Sequence, residues 1–303
     1  MQYLLVTLSI CLDLPVNTSI LWPDGEFETH AYASSNFIPT YYIQSKNIGW
    51  ERNSDDVVLP ATASFATATI QELTNIINQN KAADYFSIGD ERDVRLLNGE
   101  VITLTIVDMS VGNLYIEGIE SARKPQLVLM MKQCLSSPMI ISSTNITSGI
   151  IPAFKTFLES LYNLFPDDYK KLFKQSQRYL RKGGSGAGFT SELWLPNLQS
   201  IYSMTAIKNS SNPLVNESAF SAGYFESQYS YFKNLISDSS PDSANTNLIK
   251  TLGNNGTATN WWLCNYTQSE SSEYMICVID ETGKVGDPKI ISSAQGVVIC
   301  ATM

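Results

Sequence analysis

Histidine is almost absent from this chain of 303 residues, which contains only His30. Imidazole is the side chain that exchanges protons most readily near neutral pH, so any Ser–His or Cys–His catalytic pair would depend on this one residue. His30 follows alternating polar and apolar residues, which favours a half-exposed position on a strand. The sequence therefore predicts no catalytic residues and a protein that is not an enzyme.

Cysteine is scarce and scattered. The chain has Cys11, Cys134, Cys264, Cys277 and Cys300, with no Cys-x-x-Cys pair and no cysteine–histidine cluster. Zinc sites need such clusters, so we predict no metal site and no cofactor. Cys134 and Cys300 lie within apolar runs, which indicates reduced thiols packed as small hydrophobic groups. This usage fits assembly in a reducing cytoplasm.

Long apolar runs and excess positive charge are also lacking. No run approaches the ~18 apolar residues of a membrane span, and residues 1–13 lack the basic start of a signal peptide, so we interpret them as a first strand. Lys and Arg total 20 against 29 Asp and Glu, a net charge of -9 that would repel nucleic acid. One basic cluster is interpreted as a solvated helix face: Lys170, Lys171, Lys174, Arg178, Arg181 and Lys182. We expect neither a nucleic-acid partner nor membrane insertion.

Neutral polar residues carry most of the polarity, because charged residues make up only 16% of the chain while Ser, Thr, Asn and Tyr are plentiful. Such surfaces suit sugars and other polar ligands. The hydrophobic share of 44% is typical of a globular core. Residues 1–60 alternate β-forming and polar residues around a turn signal at residues 23–25, so they are predicted to be rich in strands.

Further along the chain, local signals are stronger. Thr69 and Glu72 form a capping box for a short amphipathic helix that ends near Lys81. Asn98-Gly99 between two β-runs predicts a hairpin, and residues 114–119 and 126–135 supply two more strands. Apolar spacing predicts helices over residues 151–182 with a break at Pro166. Residues 183–188 are interpreted as a flexible glycine-rich linker rather than a phosphate loop, and residues 208–255 as a polar insertion.

From residue 69 to the end, the order of these segments resembles a known family, the uncharacterised C-type-lectin-like domains of Clostridia-type gut bacteria and their phages. These are relatives of ligand-binding proteins that retroelements diversify. The beginning of the family's sequence pattern resembles residues 86–90 and 97–106. Its end resembles Trp261-Trp262-Leu263, residues 278–285 and residues 296–300. Between them, residues 154–166, 193–200 and 224–232 match the middle of the family pattern.

The resemblance implies an α+β fold. We expect a C-type-lectin-like domain with two helices and a mixed or antiparallel sheet over residues 61–303, carrying the polar insertion around 208–255. A β-rich N-terminal arm over residues 1–60 precedes it. The implied protein is a phage virion component, assembled in the host cytoplasm: a head-decoration, fibre or tail-tip protein that recognises a host-surface glycan or protein. Alternatives are a bacterial surface or cytoplasmic ligand-binding protein, or an enzyme of the formylglycine-generating type that uses Cys264 and Cys277.

In this fold the final hairpins face outward, so they are the predicted ligand-binding surface. The candidate ligand-binding residues are Trp262, Asn265, Tyr266, Gln268, Glu270 and Tyr274. Residues 265–274 and 280–287 are expected to share one face, although an ordinary polar hairpin and a core role for both tryptophans remain open. The arm is expected to contact other virion proteins or sister subunits in a homo-oligomer or multi-copy assembly through Trp22, Phe27, Tyr41 and Tyr42.

Overall fold

The computed structural model describes four short strands before residue 59 and most of the chain after it. The described residues are 18–21, 27–30, 42–45, 49–52, 59–109, 115–116, 119–120, 127–144, 146, 148–182, 185–212, 215, 228–236, 239–268 and 273–303. Contacts between Cα atoms divide the chain into two compact units, Met1–Leu59 and Pro60–Met303. The structure mixes helices with largely antiparallel sheets, so the predicted α+β class is confirmed.

The described part of the unit Met1–Leu59 consists of two antiparallel strand pairs. Strand β1 (Thr18–Leu21) pairs with β2 (Phe27–His30), and β3 (Tyr42–Ser45) pairs with β4 (Gly49–Arg52). Among the predicted assembly residues, Phe27 begins β2 and Tyr42 begins β3, whereas Trp22 and Tyr41 lie outside the described residues. The predicted strand near the N-terminus also lies outside them, and the assembly role of the arm stays a prediction.

The unit Pro60–Met303 contains two five-stranded sheets. The first has strand order β12-β18-β9-β6-β5, in which every neighbouring pair is antiparallel. Its strands are β5 (Glu91–Arg95), β6 (Val101–Asp108), β9 (Val128–Met131), β12 (Leu193–Trp194) and β18 (Cys300–Thr302). Two short pairs lie outside these sheets: β7 (Tyr115–Ile116) with β8 (Ile119–Glu120), and β13 (Lys250–Thr251) with β14 (Ala258–Thr259).

The second sheet has strand order β11-β10-β15-β16-β17 and is mixed, because β10 and β15 run parallel while the other pairs are antiparallel. Its strands are β10 (Ser176–Lys182), β11 (Ser185–Ser191), β15 (Trp261–Gln268), β16 (Tyr274–Ile279) and β17 (Val285–Ile290). The Asn98-Gly99 hairpin and most of the C-terminal segment therefore lie in different sheets of this unit. Only β18 joins the sheet of that hairpin.

Seven short α-helices are found among the described residues: α1 (Ile70–Asn78), α2 (Ala82–Tyr85), α3 (Ile150–Tyr162), α4 (Asp167–Leu172), α5 (Leu198–Ile201), α6 (Met204–Lys208) and α7 (Ser230–Leu235). One 3₁₀ turn covers Thr246–Leu248. The predicted capping box of α1 is confirmed, since Glu72 N–H donates to Thr69 Oγ1 and Thr69 N–H donates to a Glu72 carboxylate oxygen. Helix α3 buries Phe154, Phe157, Leu158 and Leu161 along one side, which agrees with the helix predicted from apolar spacing.

The Asn98-Gly99 hairpin is also confirmed. Gly99 N–H donates to Leu96 O at 2.9 Å, Leu96 N–H donates to Glu100 O at 2.8 Å, and Gly99 has φ +88°. This is a three-residue loop in which glycine supplies the left-handed position. The loop sets the register that places β5 beside β6.

The predicted second helix ends ten residues earlier than expected, at Leu172, and β10 replaces its remainder. Residues 176–182 and 185–191 form a seven-pair antiparallel ladder, and the Phe189 ring packs 5.8 Å from the Phe154 ring on α3. Glycines disfavour helix and tolerate close strand approach, so the glycine-rich segment favours this pairing. Because the helix ends before Lys174, the predicted basic helix face is wrong from Lys174 onward, and the predicted linker is a strand from Ser185.

Four of the cysteines are described, and Cys134, Cys264, Cys277 and Cys300 are all buried, reduced thiols. The packing predicted for Cys134 and Cys300 is confirmed. Cys11 lies outside the described residues. Within the described parts of the chain, no helix is both long and apolar enough to cross a membrane.

Candidate functional site

The structure brings Tyr266 and Tyr274 together on neighbouring strands. Tyr266 lies opposite Ile276, two residues from Tyr274, so the two tyrosines are diagonal neighbours on one face. Their ring centroids lie 5.4 Å apart and both residues are half-buried. Burial, and then the neighbouring Tyr274, raise the pKa of Tyr266 above its ordinary value. The two rings therefore form an aromatic pair near the end of the β15–β16 hairpin.

Two other predicted ligand-binding residues lie in the core. Trp262 is fully buried, and its Nε1–H donates to Met139 O at 3.0 Å. Asn265 is also fully buried, and its Oδ1 accepts a hydrogen bond from Leu198 N–H at 2.8 Å. Both side chains thus bond to the protein itself, and any ligand contact by them stays a prediction.

The remaining predicted residues and the second predicted loop lie elsewhere. Gln268 is paired with Tyr274 in the strand ladder, and Glu270 lies outside the described residues. The turn after Ile279 is at the opposite end of β16 from Tyr274. At roughly 3.3 Å per residue, the strand separates the two by about 17 Å. The expectation that residues 265–274 and 280–287 lie together on one face is wrong, because the extended strand β16 holds the two loops at its opposite ends.

A polar pocket of about 450 Å³ lies at that opposite end of β16. We call it the polar pocket. One wall is the β16–β17 hairpin, with Asp280, Glu281, Lys284, Asp287 and Lys289, and the other wall includes Ser211, Asp242 and Asn260. Its volume falls within the usual range of about 300–1,000 Å³ for ligand sites. Sequence reasoning noted the hairpin turn but missed the second wall.

The hairpin wall is fixed by the carboxylate of Asp280. Its Oδ1 accepts hydrogen bonds from Thr282 N–H at 2.9 Å, Thr282 Oγ1–H at 2.6 Å and Lys284 N–H at 3.2 Å. Gly283 takes φ +83° within this turn and donates its N–H to Asp280 O. An Asp that bonds to the backbone two residues on is a common way to build a tight turn. The pocket rim is therefore preorganised.

The opposite wall is fixed by Asp242. Its carboxylate accepts hydrogen bonds from Ser210 Oγ–H, Ser211 N–H and Ser211 Oγ–H. Partial burial raises the pKa of Asp242, but these hydrogen bonds outweigh it, so the pKa is lowered overall and the group is ionised at neutral pH. No local pattern marks Asp242 and Ser210 as partners, because 32 residues separate them.

The polar pocket is acidic but not a metal site. Four carboxylates and two lysines line it. Across the described residues, no group of three His, Cys, Asp or Glu side chains could hold a metal ion. Burial, and then the charges of Asp280 and Asp242, raise the pKa of Tyr202 well above its ordinary value, so this buried phenol stays neutral. The arrangement offers many hydrogen-bond acceptors and a few donors, which suits binding.

The turn glycine gives a direct test of this architecture. A Cβ on Gly283 would overlap the backbone of Asn245, whereas a Cβ on Gly99, which has a similar positive φ, would meet nothing within 4 Å. We expect Gly283→Ala to cost at least about 2 kcal/mol and Gly99→Ala only about 1 kcal/mol. Urea denaturation followed by circular dichroism measures both. Equal losses would mean that the hairpin is not packed against Asn245.

Cys264 and Cys277, the pair considered for formylglycine-type chemistry, are only 4% and 2% exposed. Burial raises the pKa of Cys277 to about 12, so this residue is a neutral thiol at physiological pH. The thiolate is the nucleophilic form of cysteine. Both residues thus lack the access that such chemistry needs, and Cys277 also lacks the ionisation.

Comparisons with protein-family models, with curated proteins and with solved structures found no match to this chain. The C-type-lectin-like resemblance therefore stays a prediction. The polar pocket and the Tyr266–Tyr274 pair are the two surfaces whose geometry suits ligand binding.

Proposed function

We propose that this protein is a recognition protein that binds a hydroxyl-rich ligand of the glycan class in the polar pocket. The observation that carries the proposal is a pocket of about 450 Å³ whose two walls are held by buttressed carboxylates, Asp280 and Asp242. Preorganised groups bind with a smaller loss of conformational entropy than mobile ones. Such a site favours ligand binding with little rearrangement of its walls.

The balance of donors and acceptors favours sugars over other polar ligands. The hydroxyl groups of a sugar would donate hydrogen bonds to the carboxylates of Glu281 and Asp287 and accept them from the ammonium groups of Lys284 and Lys289. A phosphate or sulfate would meet four carboxylates against two lysines. Neutral glycans avoid this repulsion, so we expect them to bind better than anionic ones.

The resemblance to a family of gut bacteria and their phages extends the proposal to a biological setting. In this extension the protein is a virion component, a head-decoration, fibre or tail-tip protein, that presents the unit Pro60–Met303 to the host surface. The arm of residues 1–60 would attach it to the particle or to sister subunits. A bacterial ligand-binding protein would use the same pocket in the same way.

The Tyr266–Tyr274 pair is the second candidate surface. Its two half-buried rings, 5.4 Å apart, can stack on the apolar face of a sugar. The polar pocket has no aromatic side chain among the described residues of its lining and so cannot make this contact. Tyrosine contributes contact area at low entropic cost. The two surfaces lie at opposite ends of β16, so they can be tested independently.

A glycan array probed with the purified protein distinguishes them. We expect Glu281→Ala with Asp287→Ala to lower the array signal at least about tenfold with an unchanged melting temperature, because exposed substitutions cost under about 0.5 kcal/mol. Glu159→Ala, on the exposed side of α3, is the matched control and should bind like the wild type. Loss of signal only in Tyr266→Ala with Tyr274→Ala would move the site to the aromatic pair. If the wild type binds no glycan, the proposal is wrong.

A further inference from the structure

A second site is indicated by a buried lysine. Lys250, at the start of β13, is only 8% exposed. Its Nζ donates to Met131 O at 3.1 Å and to Lys132 O at 2.7 Å, and lies 5.7 Å from the centre of the Trp261 ring. An ammonium has three hydrogens to donate, and among the described residues only these two carbonyls accept them. Within this part of the chain, one N–H of the Lys250 ammonium therefore has no acceptor.

The charge of Lys250 has no anionic partner. Among the described residues, no carboxylate lies within the 4.0 Å that defines an ion pair with it. Removing an ammonium from water costs several kcal/mol, and carbonyl dipoles and an aromatic face offset this only in part. A buried cation in this condition is a recognised mark of a functional site.

A small cavity adjoins this lysine. It measures about 230 Å³ and lies between β6, β9 and α7. Lys250, Met131 and Lys132 form part of its wall, while Val107, Phe232 and Leu235 supply apolar surface. The lining contains two lysines and no acidic residue, in a protein whose net charge is -9. This cavity is thus complementary to an anion, unlike the acidic polar pocket.

We propose that the cavity binds a small carboxylate with an apolar body. The carboxylate takes the place of the missing anion and accepts the remaining hydrogen of Lys250, and the apolar body packs against Val107, Phe232 and Leu235. Lys132 is already paired with Glu91 at 2.9 Å, so Lys250 provides most of the electrostatic attraction for the bound carboxylate. At about 30 Å³ for each water-sized group, the cavity admits on the order of eight such groups. This proposal is independent of glycan binding in the polar pocket.

The protonation of Lys250 supports the same assignment. Burial lowers its pKa to about 8, and the titratable groups that act on it are the thiols of Cys134 and Cys300 and the ammonium of Lys132. A bound carboxylate favours the charged amine. Carboxylate affinity should therefore fall as the pH rises above about 8.

Calorimetric titration with benzoate tests the site, with benzamide as its neutral counterpart. We expect wild-type protein to bind benzoate at least about tenfold more tightly than benzamide, and Lys250→Met to lose that preference. Lys233→Met, an exposed lysine on α7 outside the cavity wall, should bind like the wild type. No benzoate binding by the wild type, or equal binding by Lys250→Met, would overturn the proposal.

A second measurement uses the wild type alone, in case Lys250→Met fails to fold. Glyoxylate carries both an aldehyde and a carboxylate. Its aldehyde condenses with a neutral amine with loss of water, and hydride from cyanoborohydride reduces the imine to carboxymethyl-lysine. Peptide mapping at about pH 8 should find Lys250 modified faster than Lys233, and benzoate should suppress that modification. Lys250 that is unreactive, or reactive but unprotected by benzoate, contradicts the assignment.

Discussion

Trp262→Ala is expected to destabilise the unit Pro60–Met303 by about 3–5 kcal/mol, the usual cost of removing a buried aromatic side chain. Trp262 is fully buried, and its indole N–H satisfies Met139 O. Alanine would leave a cavity and remove one of the two hydrogen bonds that Met139 O accepts, the other coming from Gln295 N–H. Because domains are stable by only about 5–15 kcal/mol, this loss would remove a large share of the total.

Two matched variants separate packing from ligand contact. Trp262→Phe keeps most of the ring volume and loses the hydrogen bond, so it should cost clearly less than the alanine variant. Tyr266→Ala removes a half-buried aromatic side chain from the same strand and should also cost less. Urea denaturation followed by far-ultraviolet circular dichroism gives the free energy of unfolding of each of the three variants. If Trp262→Ala is stable and loses only glycan binding, the tryptophan belongs to a ligand surface.

The features that could be predicted from the sequence are those that neighbouring residues determine. Thr69 and Glu72 cap a helix through bonds three residues apart, and the turn at Gly99 needs only its own positive φ. The apolar stripe of α3 likewise follows from helical spacing. Each of these is stabilised mainly by local geometry, so the pattern in the sequence and the structure coincide.

Features that depend on distant partners could not be predicted. Residues 176–182 have the polar and apolar spacing of a helix, yet they pair with β11 and, through Arg181 and Asn265, with β15. Tertiary pairing outweighs helix propensity, which is a weak preference of under about 1 kcal/mol per residue. The polar pocket has the same origin, because Asp242 and Asp280 converge only after the sheet forms.

Lys250 is the residue whose buried environment is least evident from the sequence. It stands in a polar stretch, where a lysine is normally exposed. The Trp261 ring and the carbonyls of Met131 and Lys132 surround it only because β13 lies against the end of β9. Its environment therefore has no local signature, and its titration is the most direct experimental evidence for that environment.

The stability of the protein should depend on pH through Lys250. Burial lowers the pKa of this amine to about 8 from an ordinary 10.5. Between these values the unfolded chain holds a proton that the folded chain has released, so the free energy of unfolding rises with pH. Relative to Lys250→Met, the wild type should gain about 3 kcal/mol between about pH 8 and pH 10.5, at about 1.4 kcal/mol per pH unit. Below about pH 8 the difference should be constant, since the amine is protonated in both states.

The comparison with Lys250→Met isolates this amine from the other groups that titrate in the same range. Burial raises the pKa of the neighbouring Cys134 to about 12, so that thiol stays protonated in the folded state. Its ionisation in the unfolded chain is common to both proteins and cancels in the difference. Lys208→Met, at the exposed end of α6, removes a solvated lysine and should leave the pH dependence of the wild type unchanged. Urea denaturation of the three proteins at half-unit pH steps measures the difference. A flat difference between the wild type and Lys250→Met would mean that the Lys250 amine titrates as it does in water, and that the cavity beside it holds no desolvated charge to attract an anion.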